Sequence, residues 1–272
     1  MRINTNVSAI NTLRVLGQTN TAMARSIGRL SSGFRINRAA DDAAGLAIAN
    51  KFRADIRSFK VAQQNVTEAT ALVQVAEGAV SSIGSILERM KELATQAASA
   101  NASTQLTALD EEFQALKNEI DRIVGSTNYQ GNQLIDGSFS GTFQVGATNV
   151  ANNQLAIDLS GVNLATSQLS IDTDDLVSAD NARTAMTNID GAISTVNRAL
   201  GTLGALQNRL DYAASNIATT IENYSASESA IRDADMAYEM TVFTRNQILQ
   251  QAGTAMLAQA NAAPQGVLRL LG

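Results

Sequence analysis

Apolar side chains recur in steps of three and four over two stretches at opposite ends of the chain. The first runs Ile3, Val7, Ile10, Leu13, Leu16, Asn20, Met23, Ile27, Leu30, Phe34. In the second, Val242, Leu249 and Met256 recur every seven residues, with Phe243, Ile248, Ala252 and Leu257 beside them. This spacing holds side chains on one helical stripe, so each stretch predicts an amphipathic helix in need of a partner helix. Chain ends commonly fray, and partner-seeking helices at both ends point to assembly as their task.

Helix punctuation sharpens the map. The first helix is expected over 5–32, closed by Gly33 in a left-handed C-cap. A connector over 34–42 follows, with Asp41 or Asp42 as N-cap of the next helix. That helix carries Phe52, Ile56, Phe59, Gln63, Val66, Thr70, Val73, Glu77, Val80, Gly84 and Leu87 in alternating steps of four and three. Leu72, Val75, Ala79, Ile83, Ile86, Met90 and Leu93 add a second stripe, so more than one neighbour is expected. Over 44–100 it would reach about 85 Å at ~1.5 Å per residue. A compact globule of this length has a radius of gyration near ~19 Å, so a rod is implied.

A polar break at 100–104 leads to a shorter helix over 105–124 with Leu106, Leu109, Phe113, Leu116, Ile120 and Ile123. The period then changes. Residues 126–175 are rich in Gly, Asn, Ser and Thr, and short alternating runs at 142–145 and 154–159 predict one or two hairpins. Ser178 and Asp180 open a last long helix, whose seam from Met186 to Ile231 keeps three–four alternation over fourteen positions. The expected fold is mainly α, a rod-like antiparallel bundle or coiled coil with a small β-hairpin region. Its divisions are 1–43, an N-terminal helix; 44–227, a helical middle; and 228–272, a C-terminal helix lying beside the first, with Phe34 near Met236 and Ile3 near Leu268.

Composition narrows the function. The 272 residues include 4% aromatics, no His, no Cys, no Trp and one Pro. Few aromatics suit long interlocked helices better than an ordinary core, and proline is excluded from helix interiors. Without Cys or His, thiolate metal sites and the commonest nucleophiles and bases are missing. No phosphate-binding or dinucleotide motif occurs. Asp172, Asp174 and Asp175 read as a solvated loop rather than a cation site, and Glu111, Glu112, Glu119 and Asp121 as a solvated helix face. The reading is a protein that is not an enzyme and uses no cofactor or metal.

Net charge is −5, yet residues 1–40 hold six Arg and no acid. Their spread, at 2, 14, 25, 29, 35 and 38, favours subunit electrostatics over binding of nucleic acid or membrane. In the antiparallel arrangement Glu228, Asp233, Asp235 and Glu239 would face Arg35 and Arg38. No run of ~20 apolar residues predicts a membrane span, and no compact apolar segment marks a cleaved secretory signal. A membrane-active adaptor and a cytoplasmic coiled-coil scaffold are the alternatives from other classes.

The text INTNVSAINTLRVLGQTNTAMARSIGRLSSGFRINRAADDAAGLAIANKFRADI at one end, and IENYSASESAIRDADMAYEMTVFTRNQILQQAGTAMLAQANAAPQGVLRLLG at the other, resembles bacterial flagellin. The resemblance covers almost the whole chain. It implies a self-polymerising subunit of a hollow helical filament for motility, exported through the flagellar type III apparatus to the cell exterior. It further implies a short form without large outer domains, an export chaperone on the C-terminal segment, and contact with hook-junction and cap proteins. The stretch with Arg89 and Leu93, together with Glu112, is similar to the surface by which flagellins engage a Toll-like receptor of a host.

Overall fold

The computed structural model describes residues 5–99 and 105–271, with side chains as far as 263. Ile3, Leu268 and the break at 100–104 therefore lie outside the described side chains. Five long α-helices dominate: α1 Val7–Ser32, α2 Ala43–Ala97, α3 Leu106–Ser126, α4 Ala179–Arg232 and α5 Met236–Leu271. Between α3 and α4 stand β1 Asn128–Tyr129, β2 Asn132–Gln133, β3 Ser140–Gln144, a 3-10 turn Ala151–Asn153 and β4 Gln154–Asp158. The chain divides into two compact units, 1–56 with 222–272, and 57–221.

Local chemistry sets the helix ends. Asn6 caps α1, its side-chain oxygen accepting the Ala9 N–H at 3.1 Å. Gly33 closes it at φ 75, its N–H donating to the Arg29 carbonyl. The two aspartates of the connector separate their tasks. Asp42 caps α2 by accepting the Gly45 N–H at 2.9 Å, whereas Asp41 folds the connector by accepting the N–H groups of Asn37 and Arg38. Ser178 caps α4 through the Asn181 N–H, and Asp235 caps α5 through Ala237 and Tyr238.

The unit 57–221 holds one apolar core. Val73, Val80, Ile83, Leu87, Met90 and Leu93 of α2 enter it, with Phe113 and Ile120 of α3 and Ile189, Leu203 and Leu210 of α4. By length and composition α2 is apolar enough to cross a membrane, contrary to the expectation that no span would qualify. The reason is its core stripe, which packs against protein side chains here. Glu77 and Gln207 hydrogen-bond across the α2–α4 seam, and Lys91 pairs with Asp190 at 2.6 Å on its outside.

The runs at 142–145 and 154–159 form one hairpin, and a second, shorter one stands before it. β3 and β4 pair antiparallel from Ser140↔Asp158 to Gln144↔Gln154, and the period of two sends Leu155 and Ile157 of β4 inward. β1 and β2 join through Gln130 and Gly131, both at positive φ (51 and 86), as a two-residue hairpin loop requires. The acidic loop before α4 is solvated only in part: Asp172 is exposed as expected, and Asp174 is not. Asp174 is buried and bonded to Asn188, and the buried Lys117 ammonium donates to the carbonyls of Asp172 and Asp174. Asp121 stays exposed, as expected, and accepts the N–H and hydroxyl of Thr166. These bonds satisfy buried polar groups that would otherwise destabilise the loop.

Candidate assembly surfaces

In the unit formed by 1–56 and 222–272, α1 and α5 pack antiparallel. Asn6 donates to the Ala260 carbonyl at 2.7 Å, and a Cβ on Gly253 would sit 3.2 Å from Leu16. Arg29 pairs with Glu239 at 3.5 Å. At the end of α1 a short antiparallel bridge joins Phe34 to Asp233, with the Arg35 N–H on the Arg232 carbonyl at 2.7 Å and the Ala234 N–H on the Gly33 carbonyl at 2.9 Å. The Arg232 guanidinium lies 4.1 Å over the Phe34 ring.

The side chains shielded in this pair are unusual for two packed helices. The most buried are Ser26 of α1 and Glu239 and Asn246 of α5. Around them α1 half-buries Ala9, Thr12, Leu16, Thr19, Met23, Leu30 and the following Phe34, and α5 half-buries Val242, Phe243, Gln250, Gly253, Leu257 and Ala260. The sequence treated the N-terminal apolar positions as one stripe, and the structure divides it. Leu16, Met23, Leu30 and Phe34 are shielded, while Val7, Ile10 and Leu13 stay exposed at 68%, 59% and 59%, together with Ile27. On α5, Val242 and Leu257 are shielded, while Leu249 and Met256 remain exposed beside Met240 and Ile248.

The physical reason lies in the partner line of α5, which presents Glu239, Asn246, Gln250 and Gly253. These cannot match a full apolar stripe, so α1 turns toward them a mixed face in which Thr12, Thr19 and Ser26 alternate with Leu16, Met23 and Leu30. The larger apolar face is left outward on both helices. Isolated exposed apolar residues are ordinary, but aligned rows on adjacent helices mark an interaction surface.

The charges follow a different pairing from the one expected. Among the described residues the ion pair joining α1 to α5 is Arg29–Glu239. Arg35 instead donates from its guanidinium to the Ile231 carbonyl, Glu228 faces Arg232 at 3.9 Å, and Asp233 accepts from Ser229.

A second candidate surface lies in the unit 57–221. Arg89 donates from Nε and Nη2 to Glu112 Oε1 at 2.9 and 2.8 Å, and from Nη1 to Glu92 at 2.9 Å. The hydrogen bonds it donates to Glu112, then to Glu92, push the Arg89 pKa up. Leu93 does not share this surface. It is 1% exposed, because it belongs to the α2 stripe that faces the core. Spacing of i and i+4 placed it beside Arg89, but the boundary between core and solvent runs between them. Among the described residues no cluster of three metal-ligating side chains occurs.

Residues 3–140 match the model of the bacterial flagellin N-terminal helical region, and 186–271 that of the C-terminal helical region. A flagellin of Halalkalibacterium halodurans is 43% identical over 273 residues, covering 100% of both chains. A flagellin of Bacillus subtilis is 40% identical, again over 100% of each. Among solved structures, Bacillus cereus flagellin superposes with TM-score 0.51 at 32% identity, over 57% of this chain and 88% of that one. A putative flagellar hook-associated protein of Vibrio parahaemolyticus shares the fold at TM-score 0.59 and 11% identity, over 71% of this chain and 100% of that one. With family matches at both ends and full-length relatives, this chain belongs to the bacterial flagellin family.

Proposed function

We propose that this chain polymerises through the outward apolar faces of α1 and α5, each subunit burying those faces against different surfaces of its neighbours to build the filament. The observation that carries this is the exposure of large apolar side chains on both helices, over a mutual interface whose most buried side chains, Ser26, Glu239 and Asn246, are polar. A surface that meets a different surface on the next copy generates an open helix whenever the rotation does not close. Val7, Ile10, Leu13, Ile27, Leu249 and Met256 are the direct interface residues of this reading. Leu16, Met23, Leu30, Phe34, Val242 and Leu257 position them by holding α1 on α5. Ile3, outside the described residues, joins this set by its spacing alone.

The exposed face of α5 also suits a helix-in-groove partner before assembly, in the manner of an export chaperone. Export through the flagellar type III route, and contact with hook-junction and cap proteins at the filament ends, complete the reading. The Arg89–Glu112 surface is the candidate for a host Toll-like receptor. Addition of purified chain to short filament seeds, followed by sedimentation, tests polymerisation. Growth of sedimentable mass from seeds supports it, and a chain that stays soluble with seeds present overturns it. Loss of chaperone binding on deletion of 236–272, and loss of receptor signalling in Arg89→Ala and Glu112→Ala, test the other two.

A further inference from the structure

We propose that the basic pocket between α1 and the connector is a socket for a carboxylate side chain of a second copy of this chain. The inference rests on the polymer reading above and specifies one of its contacts. The pocket has a volume of about 440 Å³, and its lining includes Arg25, Gly28, Arg29, Asn37, Arg38 and Asp41.

Its walls are fixed by hydrogen bonds. Asn37 Nδ2 donates to the Gly28 carbonyl at 3.2 Å and to Ser32 Oγ at 2.9 Å, tying the connector to α1. Asp41 accepts the N–H groups of Arg38 at 3.0 Å and Asn37 at 3.2 Å. Those bonds, with a smaller contribution from Arg29 and Arg25, hold its carboxyl below the usual aspartate range. This one acid of the pocket is thus committed to backbone. Arg29 is turned to Glu239. Arg25 and Arg38 remain, and among the described residues neither guanidinium makes a hydrogen bond or an ion pair. A guanidinium carries five N–H donors in a planar fork suited to a carboxylate.

Charge points to the same kind of occupant. The six Arg of residues 1–40 face no acid in that segment, which leaves 14 of the 20 basic residues against all 25 acids in the rest of the chain. Most acids of the same unit are engaged, Asp55 and Glu222 excepted. Asp42 and Asp235 cap helices, Asp233 holds Ser229, and Glu228 and Glu239 face Arg232 and Arg29. The unit 57–221 offers more unengaged acids: Glu68, Glu88 and Glu111 are exposed and have no side-chain partner among the described residues. Because contacts in an open helix join unlike surfaces, the basic pocket of one copy can meet an acid of 57–221 on the next.

The sequence supplies a clean test. The first lysine is Lys51, so residues 1–50 contain no side-chain amine. Arg25→Lys and Arg38→Lys keep the charge and introduce one. Full chains carrying either substitution, as an equal mixture of light and heavy isotope labels, are polymerised on seeds and treated with a carbodiimide. The reagent activates a carboxylate, and the amine displaces the urea to form an amide. Mass spectrometry is expected to find mixed-label peptides joining position 25 or 38 to an acid-bearing peptide of 57–221, in polymer and not in monomer. In parallel, the double variant Arg25→Gln and Arg38→Gln is expected to raise the critical concentration by on the order of tenfold. Coupling only to Asp41 of the same copy, or no coupling in polymer that has formed, would overturn the socket. An unchanged critical concentration for the glutamine variant would do the same, leaving at most a site for small anions. Failure of the unsubstituted chain to grow from seeds would instead strike the polymer reading beneath it.

Discussion

Truncating Ile10 and Leu13 together to alanine separates assembly from folding. Burying such a side chain completely is worth about 1.5–3 kcal/mol. In the subunit both are 59% exposed, so a little over half of that gain, roughly 1–2 kcal/mol each, is still available to an assembly contact. Alanine retains part of it, and the pair of truncations should cost the polymer about 2 kcal/mol, or about 30-fold in critical concentration. The subunit itself should scarcely notice, since exposed substitutions fall within about 0.5 kcal/mol and alanine favours the helix. Leu87→Ala is the contrast. Leu87 is buried in the core of the unit 57–221, and its truncation should cost about 2–5 kcal/mol of folding stability. The assay pairs seeded sedimentation over a concentration series with thermal melting of the monomer. An unchanged critical concentration, or a melt lowered as far as that of Leu87→Ala, would refute the assignment of these side chains to the subunit interface.

Asn246→Leu should stabilise the α1–α5 pair, because Asn246 is buried there without a side-chain hydrogen bond among the described residues. The gain of about 1–3 kcal/mol should appear as stronger amide protection of α5 in the monomer. Gly45→Ala should destabilise the start of α2 by about 0.5–2 kcal/mol, since its Cβ would clash with the Asp42 carboxylate that caps the helix; melting of the variant reads this. Burial raises the Asp174 pKa above its ordinary 3.8, against the opposing hydrogen bond from Asn188. The folded state therefore holds the proton more tightly, and this contribution to stability is present below 3.8 and lost as pH rises through the folded value. Asp174→Asn removes that loss, so the stability of the variant relative to the parent chain should rise with pH over this window in parallel melts. A difference independent of pH would show that burial does not govern this carboxyl.

Elements set by neighbouring residues were legible in the sequence. Gly33, Asp42 and Ser178 end or begin helices through bonds reaching only a few residues along the chain. The alternating run at 154–159 predicted the strand β4, in which Leu155 and Ile157 turn inward. What periodicity could not settle was which side of α1 meets α5. Steps of three and four describe the shielded line through Leu16, Met23 and Leu30 as well as the exposed one through Val7, Ile10 and Leu13. The choice depends on Glu239, Asn246 and Gly253, more than two hundred residues away. Leu93 was misplaced for a related reason. Neighbours on a helix surface can lie on opposite sides of the boundary between core and solvent, and only the packing of α2 on α3 and α4 draws that boundary. Asp174 looked solvated because nothing in its local sequence announces that Lys117 and Asn188 will close over it.

The central claim is that assembly resides in α1 and α5 while the unit between them folds without them. Electron microscopy of seeds incubated with full-length chain, and separately with a fragment of residues 44–227, tests it most directly, with circular dichroism to establish that the fragment is helical. The expected result is elongation of the seeds by the full chain and none by a helical, monomeric fragment. Elongation by the fragment, or none by the full chain, would contradict the claim.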